Sequence, residues 1–561
     1  MTENGTQNRF ITNLAIKLPH LPLIISLVIM VFFDQLSWEK QRGIQFLALT
    51  VLVLIGLAAI IVFEKKRVPW PSYLLLLPIL FGAIMTVIHI EPVTTFFNFL
   101  LTLYGLILLA ITLLNGDWFR YRIREVLMRL LLLIQSALID PIRVLIKEKG
   151  DPEHSLVKGE NTGWLKVWPY LRGVLIAIPL LLVFGALLAS ADLIFRTQLT
   201  NIFSWLTVKN FADLIFRTIY ICVLAYFLAG AYIHALTRST EKKELSPDKP
   251  FLSPFLGHVE AFTVLALINL LFLLFIIIQF RYFFAGETNI TLEGFTYAEY
   301  ARRGFFELVM VSIISLGLYY TLNMVTKRSE RKIKRIFSVL GALLMLQVGC
   351  MLLSAFQRLS LYEAAYGFTT LRTITHVFMI WLGVLLAAAV LMEIFNQFKR
   401  LALVLFLILF GFTLTLNLLN MDQFIAQRNI KHAIAGNRLD ANYLVHQLSD
   451  DGIPALFESW QAQDTPQDVQ TALQAALACK FAMRNAQQGR DLWVEWHHTA
   501  STANMLFEKY QTDLASYPFI ERTETYISVE EGQEVEGESK SYFISVQGEE
   551  VWCTSDQVIT D

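Results

Sequence analysis

Charged residues and cysteines are both scarce in this chain of 561 residues. Asp, Glu, Lys and Arg together make up 17% of it, and only four residues are cysteine. An average soluble domain carries about 25% charged residues, which excludes an ordinary soluble enzyme or nucleic-acid-binding protein. The sequence also lacks a G-x-x-x-x-G-K-[ST] phosphate loop, a G-x-S-x-G elbow and an H-E-x-x-H metal motif. We therefore expect no cofactor and no metal, and any energy from ATP would come from another chain.

Apolar residues are abundant instead. They make up 55% of the chain, and Phe alone accounts for 42 residues. Apolar runs of about 20 residues, each long enough to cross a bilayer as a helix, recur through the first three quarters of the sequence. The pattern predicts an all-α polytopic membrane protein with about eleven transmembrane helices and a C-terminal extracytoplasmic α+β tail. The predicted spans are 18–36, 44–63, 73–89, 93–114, 167–188, 211–236, 259–280, 305–324, 336–355, 373–395 and 401–419.

The net charge of −1 conceals two oppositely charged parts. Residues 1–420 carry 37 Lys and Arg against 25 Asp and Glu, whereas residues 421–561 carry 9 against 22. With the N-terminus in the cytoplasm, the cytoplasmic connections hold 26 basic residues and the outer connections hold 9. The positive-inside rule favours this orientation, and an odd number of spans then places the acidic tail outside. The chain is predicted to cross a cell membrane many times, with its C-terminus outside the cytoplasm.

Three domains are predicted: transmembrane helices over 1–420, a soluble helical segment over 421–515, and an acidic, β-hairpin-like end over 516–561. Within the first, residues 121–147 are apolar enough for a twelfth span but contain several Arg residues, Asp140 and Pro141. A twelfth span would place the basic run at 327–335 outside, against the charge rule. An amphipathic helix on the cytoplasmic surface is the favoured interpretation.

The predicted outer connection before the eighth span contains the strongest cluster of charge. If its helix begins early, Glu299, Arg303 and Glu307 lie in one column four residues apart, with Arg302 beside them. Glu307 would then lie inside the hydrocarbon boundary, where an ionised carboxylate needs a partner. The column can line a polar cavity for an ion, a lipid headgroup or a proton, or it can be a structural ion-pair ladder.

A second candidate group lies in the predicted outer loop between spans nine and ten. Arg358, Glu363 and Arg372, together with two Tyr residues, can form a binding rim or an aromatic belt that contacts headgroups. Span six adds Asp213 and Arg217, which are four residues apart and can pair as intramembrane charges. Snorkelling of Arg217 to the interface is the simpler alternative.

Four segments resemble a known family of bacterial polytopic membrane proteins, catalogued as domain of unknown function 4173 and related to the similar group 4153. The segments read TYAEYARRGFFEL at 296–308, RLSLYEAAYGFTTLR at 358–372, NMDQFIAQRNI at 420–430, and LDANYL followed by LSDDGIPAL over 439–456. The resemblance implies a membrane fold and names no activity. In the predicted topology all four segments lie on the outer side, which suggests an outward-facing polar site closed by the start of the tail.

Three functions remain open at this stage. The favoured one is a non-enzymatic envelope component, either a permease-like handler of lipids or solutes or an accessory subunit of a membrane complex. A membrane enzyme acting on a lipid-linked substrate at the outer face is the first alternative, with Glu299 or Glu363 as base and Arg303 or Arg372 for a phosphate. A sensor or scaffold that uses the acidic tail is the second. The expected partners are the lipid bilayer and possible further envelope proteins, without nucleic acid, and the oligomeric state is open.

Overall fold

The fold of the chain is described from a computed structural model. The structure describes residues 17–40, 43–147, 211–239, 254–284, 305–327, 330–395, 397–486, 493–517, 520–530 and 533–555, with a few positions between 177 and 195. Within these residues the chain is mainly helical and divides into two compact units. One unit comprises residues 1–74, 107–116 and 128–242, and the other comprises 75–106, 117–127 and 243–561.

Nine helical segments among the described residues are long and apolar enough to cross a membrane, and one shorter apolar helix accompanies them. These segments confirm a multi-pass helical membrane protein. Ten of the eleven predicted spans coincide with such helices, whereas most of 167–188 lies outside the described residues, so the count of eleven stays a prediction. The helices are α1 (Leu21–Ser37), α2 (Gln45–Phe63), α3 (Trp70–Leu74), α4 (Leu76–Ile88), α5 (Pro92–Thr112), α6 (Ile123–Lys147), α7 (Phe211–Thr237), α8 (His258–Phe284), α9 (Phe305–Val325), α10 (Arg331–Tyr366), α11 (Thr370–Ile394) and α12 (Leu401–Leu419).

In the first unit α7 packs against both α1 and α6. A helical crossing places Gly230 of α7 directly on Ala137 of α6, and a Cβ at Gly230 would lie only 2.4 Å from the Ala137 Cα. One turn further along α7, His234 Nδ1 lies 2.9 Å from Ser136 Oγ of α6. The segment predicted as an amphipathic surface helix is thus one helix whose central turns contact α7.

The second unit contains the longest helix of the described chain, α10, with 36 residues. Hydropathy placed the end of this span at residue 355 and predicted an outer loop over 356–372. The first part of that loop prediction is wrong, because the helix continues to Tyr366 with the strong helix formers Gln357, Leu359 and Leu361. It stops at Gly367, whose positive φ of 76° is the left-handed conformation that glycine adopts without strain.

The tail beyond α12 is a helical domain with a small sheet. Its helices are α13 (Met421–Ile434), α14 (Ala441–His446), α15 (Ile453–Gln461), α16 (Gln467–Ala486), α17 (His498–Lys509) and α18 (Gln511–Leu514). The strands β1 (Ile520–Glu530), β2 (Gln533–Val546) and β3 (Glu549–Ser555) form an antiparallel sheet in the order β1-β2-β3. All of β1 pairs with the part of β2 between Gln533 and Phe543, and the end of β2 pairs with β3.

Helices and sheet share one hydrophobic core. Leu456, Leu473 and Phe507 from the helices are buried with Val546 and Val551 from the strands. A disulfide joins Cys479 of α16 to Cys553 of β3, with the two Cα atoms 5.5 Å apart. This disulfide links the last strand to the helical part of the tail.

Candidate functional site

A carboxylate, an imidazole and a hydroxyl meet where α10 ends and α11 begins. Glu363 Oε2 lies 3.0 Å from His376 Nδ1, and His376 Nε2 lies 3.3 Å from Ser360 Oγ. Glu363 is 3% exposed. Ser360 and Glu363 are three residues apart on α10, so both face α11, and His376 lies one and a half turns into α11. The three side chains form a continuous line from carboxylate to hydroxyl.

His376 is held in this line from the side. The Phe356 ring lies 4.4 Å from the imidazole, centroid to centroid. The single proton of the Ser360 hydroxyl can be donated either to the Phe356 carbonyl at 3.0 Å or to His376 Nε2 at 3.3 Å. A carboxylate at Nδ1 favours the tautomer that carries its proton on that nitrogen, which leaves Nε2 as an acceptor toward Ser360. The arrangement can relay a proton or orient the hydroxyl.

Arg372 lies beside this group at the start of α11. Its guanidinium carbon is 4.3 Å from the centre of the Tyr362 ring, and its Nη1 donates to the Gly367 carbonyl at 2.6 Å. A guanidinium carries five donors arranged in a fork that suits a phosphate or carboxylate. Arg358, also on α10, is half-buried. Two of the predicted basic residues and the predicted Glu363 are therefore brought to one end of one helix pair.

Two side chains from the first part of the tail form hydrogen bonds with the turn between α10 and α11. Asn429 accepts from the Phe368 amide at 2.6 Å and donates to the Phe368 carbonyl at 2.9 Å. The Thr370 amide donates to the Tyr443 hydroxyl at 3.0 Å. Gly367 is part of the same contact, because a Cβ there would lie 2.9 Å from Asn429 Oδ1. These hydrogen bonds hold the start of the tail against the turn between α10 and α11.

A second attachment joins the tail to the connection between α4 and α5. Asp451 is 1% exposed, and its carboxylate accepts from the Ile90 amide at 3.2 Å and contacts His89 Nδ1 at 3.2 Å. Burial alone would raise the pKa of Asp451, but the hydrogen bonds from His89 and the Ile90 amide outweigh it and lower the pKa. Glu91 next to them accepts from the Thr94 amide at 2.6 Å and so satisfies the first turn of α5.

Asp422 completes this second attachment. It is 1% exposed, and its Oδ2 accepts from the Ser449 amide at 2.6 Å, whereas Oδ1 has no hydrogen-bond partner among the described residues. Burial, together with the carboxylates of Glu91 and Asp451, outweighs the hydrogen bonds from Ser449 and raises the pKa of Asp422 to about 6. Lys480 faces the same region, where its ammonium donates to the Leu448 carbonyl at 2.8 Å.

Of the four site residues predicted around the start of α9, only one is among the residues that the structure describes. Glu299, Arg302 and Arg303 lie outside the described residues, and Glu307 is exposed in the first turn of α9. Whether these four form the predicted column stays a prediction.

The intramembrane pair differs from the predicted one. Arg217 donates from Nε to Asp34 Oδ1 at 3.2 Å, and Tyr220 donates to the same carboxylate. Asp34 takes the place predicted for Asp213 because α1 and α7 pack together, and a partner on a neighbouring helix reaches Arg217. The sequence showed Asp34 near the end of an apolar run but contained no sign of its partner.

The attachment residues His89, Glu91, Asp422 and Asp451 were missed as functional candidates. Asp422 and Asp451 lie in the segments 420–430 and 448–456 that carried the family resemblance, which was the available signal. Among the residues that the structure describes, no group of three or more His, Cys, Asp and Glu side chains is arranged to hold a metal ion.

The apolar helices, their polar end and the attached tail define the class: a multi-pass helical membrane protein with a folded C-terminal domain. The family described as Domain of unknown function (DUF4153) matches residues 76–459, and the chain belongs to that family. The resemblance of the four segments to the related group 4173 stays a prediction. No curated protein and no solved structure shows significant similarity to the chain.

Proposed function

We propose that this protein is a non-enzymatic component of the bacterial inner membrane that binds the phosphate headgroup of a lipid at its outer face. The observation that carries the proposal is the polar group at the ends of α10 and α11, where Glu363 pairs with His376 and Arg372 packs on the ring of the neighbouring Tyr362. The predicted cluster of Glu299, Arg302, Arg303 and Glu307 would complete this site from the connection before α9.

Two features support an N-terminus in the cytoplasm and a tail outside. Basic residues are concentrated in the connections assigned to the cytoplasm, as the positive-inside rule requires. The disulfide between Cys479 and Cys553 belongs to the tail, and disulfides persist in oxidising compartments such as the bacterial periplasm.

Depth in the bilayer supports a headgroup as the ligand. If the hydrocarbon segment of α10 ends near residue 355, Ser360 lies about 7 Å beyond it at 1.5 Å per residue. The headgroup region extends about 5 to 8 Å on each side of the hydrocarbon core. The polar group at the end of α10 is then level with lipid phosphates and next to water.

Native mass spectrometry of the full chain, released from its own membrane into nanodiscs, tests the proposal. We expect a phospholipid to remain bound to the wild type, and at least a tenfold lower bound fraction in Arg372→Ala and Arg303→Ala. Arg522→Ala is the matched control, because Arg522 also packs on an aromatic ring but lies on the sheet of the tail. Equal retention of lipid by all four proteins would refute the proposed site.

The same spectra distinguish the accessory-subunit version of the proposal. A second protein in stoichiometric amount, without bound lipid, would replace lipid handling with a role in a membrane complex. The identity of that protein would then name the process.

A second candidate function, a membrane enzyme, is favoured by one observation: the line Ser360, His376 and Glu363. In serine hydrolases a hydroxyl passes its proton to an imidazole oriented by a carboxylate and attacks an acyl carbon. A fluorophosphonate probe would label Ser360 in the wild type, and label would be absent from Ser360→Ala and retained in Ser354→Ala. Ser354 is a suitable control because it is a buried serine on the same helix. Absence of any label in the wild type removes this candidate.

A further inference from the structure

The tail carries an open groove on the side formed by α15, α16 and the β2–β3 turn. Its volume is about 410 Å³, within the roughly 300 to 1,000 Å³ typical of small-molecule sites. Most of its lining side chains are uncharged and polar, and two are aromatic. The lining comprises Trp460, Gln461, Gln467, Gln470, Thr471, Gln474, Tyr510, Asp513 and Gln547.

The two aromatic rings are fixed in place by their neighbours. Trp460 and Tyr510 meet edge to face with centroids 5.8 Å apart, and Phe457 stacks on Tyr510 at 5.3 Å. Gln470 Nε2 donates to the Trp460 carbonyl at 2.8 Å. Both aromatic residues are only partly buried, so the groove contains ring surface that is held rigidly before any ligand binds.

The polar part of the groove is made of amides. Five glutamines contribute to the lining, and each amide offers two donors and an acceptor. Gln467, Gln470 and Gln474 lie on one face of α16 at spacings of three and four residues. Thr471 Oγ1 lies 3.2 Å from Gln547 Oε1 and thereby joins α16 to the β2–β3 turn.

The charge of the groove narrows the class of ligand. Among the described residues, Asp513 is the only charged residue in the lining, and the ammonium of Lys509 lies next to the groove, 4.8 Å from the centre of the Tyr510 ring. These two opposite charges leave the groove without a net charge that would attract an ionic ligand. The donors and acceptors of the amides suit hydroxyl groups, which are both donor and acceptor, while the negative face of an aromatic ring attracts the weakly positive C–H face of a sugar ring.

We propose that this groove binds an uncharged oligosaccharide. The pyranose C–H face would lie on Trp460, because the Tyr510 ring is already covered by Phe457 and by the Lys509 ammonium. The sugar hydroxyls would bond to Gln467, Gln474 and Gln547. The disulfide from α16 to β3 holds the elements of the groove together in an oxidising compartment, where envelope glycans are found. The groove is separate from the polar group at the ends of α10 and α11, and either site can fail its test without affecting the other.

The experiment uses the full chain in lipid nanodiscs free of glycoside detergents. Isothermal titration with maltotriose, cellotriose and chitotriose should detect binding of at least one of them, with Kd in the range of about 0.1 to 1 mM. Trialanine is the peptide comparator. We expect the affinity for the bound sugar to fall at least tenfold in Trp460→Ala and in Gln474→Ala.

Two controls decide the interpretation. Trp493→Ala removes a tryptophan that is 67% exposed on the same tail and does not line the groove, and its affinity should equal that of the wild type. Gln474→Ala removes a partly exposed amide and leaves the core intact, so the test does not depend on folding of Trp460→Ala. Binding of no sugar, equal binding by Gln474→Ala, or binding of trialanine alone would overturn the proposal.

Discussion

Replacing Asp422 with Asn should stabilise the tail at neutral pH. The carboxylate is buried against Glu91 and Asp451, two further carboxylates, with Lys480 as the nearby cation. Asn keeps an oxygen that accepts from the Ser449 amide and removes a negative charge. It also puts an amide donor where Oδ1 has no partner, and Glu91 is an available acceptor nearby.

The magnitude follows from the pKa of Asp422, which is raised from 3.8 to about 6 in the folded protein. Below pH 3.8 the group is protonated in both states and costs nothing. Between 3.8 and 6 the unfolded chain ionises while the folded chain does not, so stability falls as pH rises. Above pH 6 the full cost of about 3 kcal/mol applies, at about 1.36 kcal/mol per pKa unit.

Urea unfolding of the full chain in nanodiscs, followed by tryptophan fluorescence of the tail, measures this difference. At pH 7.5 Asp422→Asn should exceed the wild type by about 2 to 3 kcal/mol, and at pH 4.5 by less than about 1 kcal/mol. Subtracting the wild-type curve at each pH removes the titration of groups that both proteins share. Asp464→Asn, which removes an exposed acid from the same tail, should change stability by less than about 0.5 kcal/mol at either pH.

Two results would refute the reasoning. If Asp422→Asn were less stable than the wild type at pH 7.5, the carboxylate would be a net stabilising partner, most simply of Lys480. If the difference between the proteins were the same at pH 4.5 and 7.5, Asp422 would not titrate in this range and its burial would carry no electrostatic cost.

Three further substitutions have expected outcomes. Asp451→Ala leaves buried backbone amides without their acceptor and should destabilise the tail by about 2 to 4 kcal/mol in the same urea assay. Gly367→Ala places a Cβ at positive φ and 2.9 Å from Asn429 Oδ1. The substitution should lower the stability of the tail by about 1 to 2 kcal/mol and accelerate tryptic cleavage near Arg372. Unchanged cleavage would show that the turn adapts to the new side chain. Removing the disulfide by Cys479→Ala with Cys553→Ala opens a loop whose ends are 74 residues apart in sequence. This should lower the stability of the tail by about 2 to 4 kcal/mol, and the wild type in reducing agent should have the same stability as the double variant.

The membrane helices were predictable because their composition reflects the hydrocarbon interior of the bilayer. Hydrocarbon offers no partner to a backbone amide, so each crossing must be an apolar helix, and ten predicted spans correspond to helices for this reason. The end of α10 was not predictable in the same way. Beyond residue 355 the helix leaves the apolar stretch, and hydropathy reports the loss of apolar residues but not whether the helix stops. The stop depends on Gly367 and its contact with Asn429, which lies 62 residues further along the chain.

The partners of the buried charges could not be predicted from local pattern. His89 and Asp451 are 362 residues apart, and Arg217 and Asp34 are 183 apart. Helical spacing relates only residues within one element, so it offered Asp213 as the partner of Arg217 and no partner for His89. Glu363 was a candidate from the sequence, but its pairing with His376 depends on the angle at which α10 and α11 meet.

The tail attaches to the helix bundle through groups that a helix end leaves unsatisfied. Asp451 accepts from the amide of Ile90, which follows α4, and Thr499 donates to the Ile88 carbonyl at the last residue of α4. Asn429 bonds both backbone groups of Phe368 in the turn after α10. In each case a side chain of the tail completes the backbone of a membrane helix or turn. The tail and these helix ends are therefore one structural unit, and a chain cut after α12 would leave the polar ends of its helices without their partners.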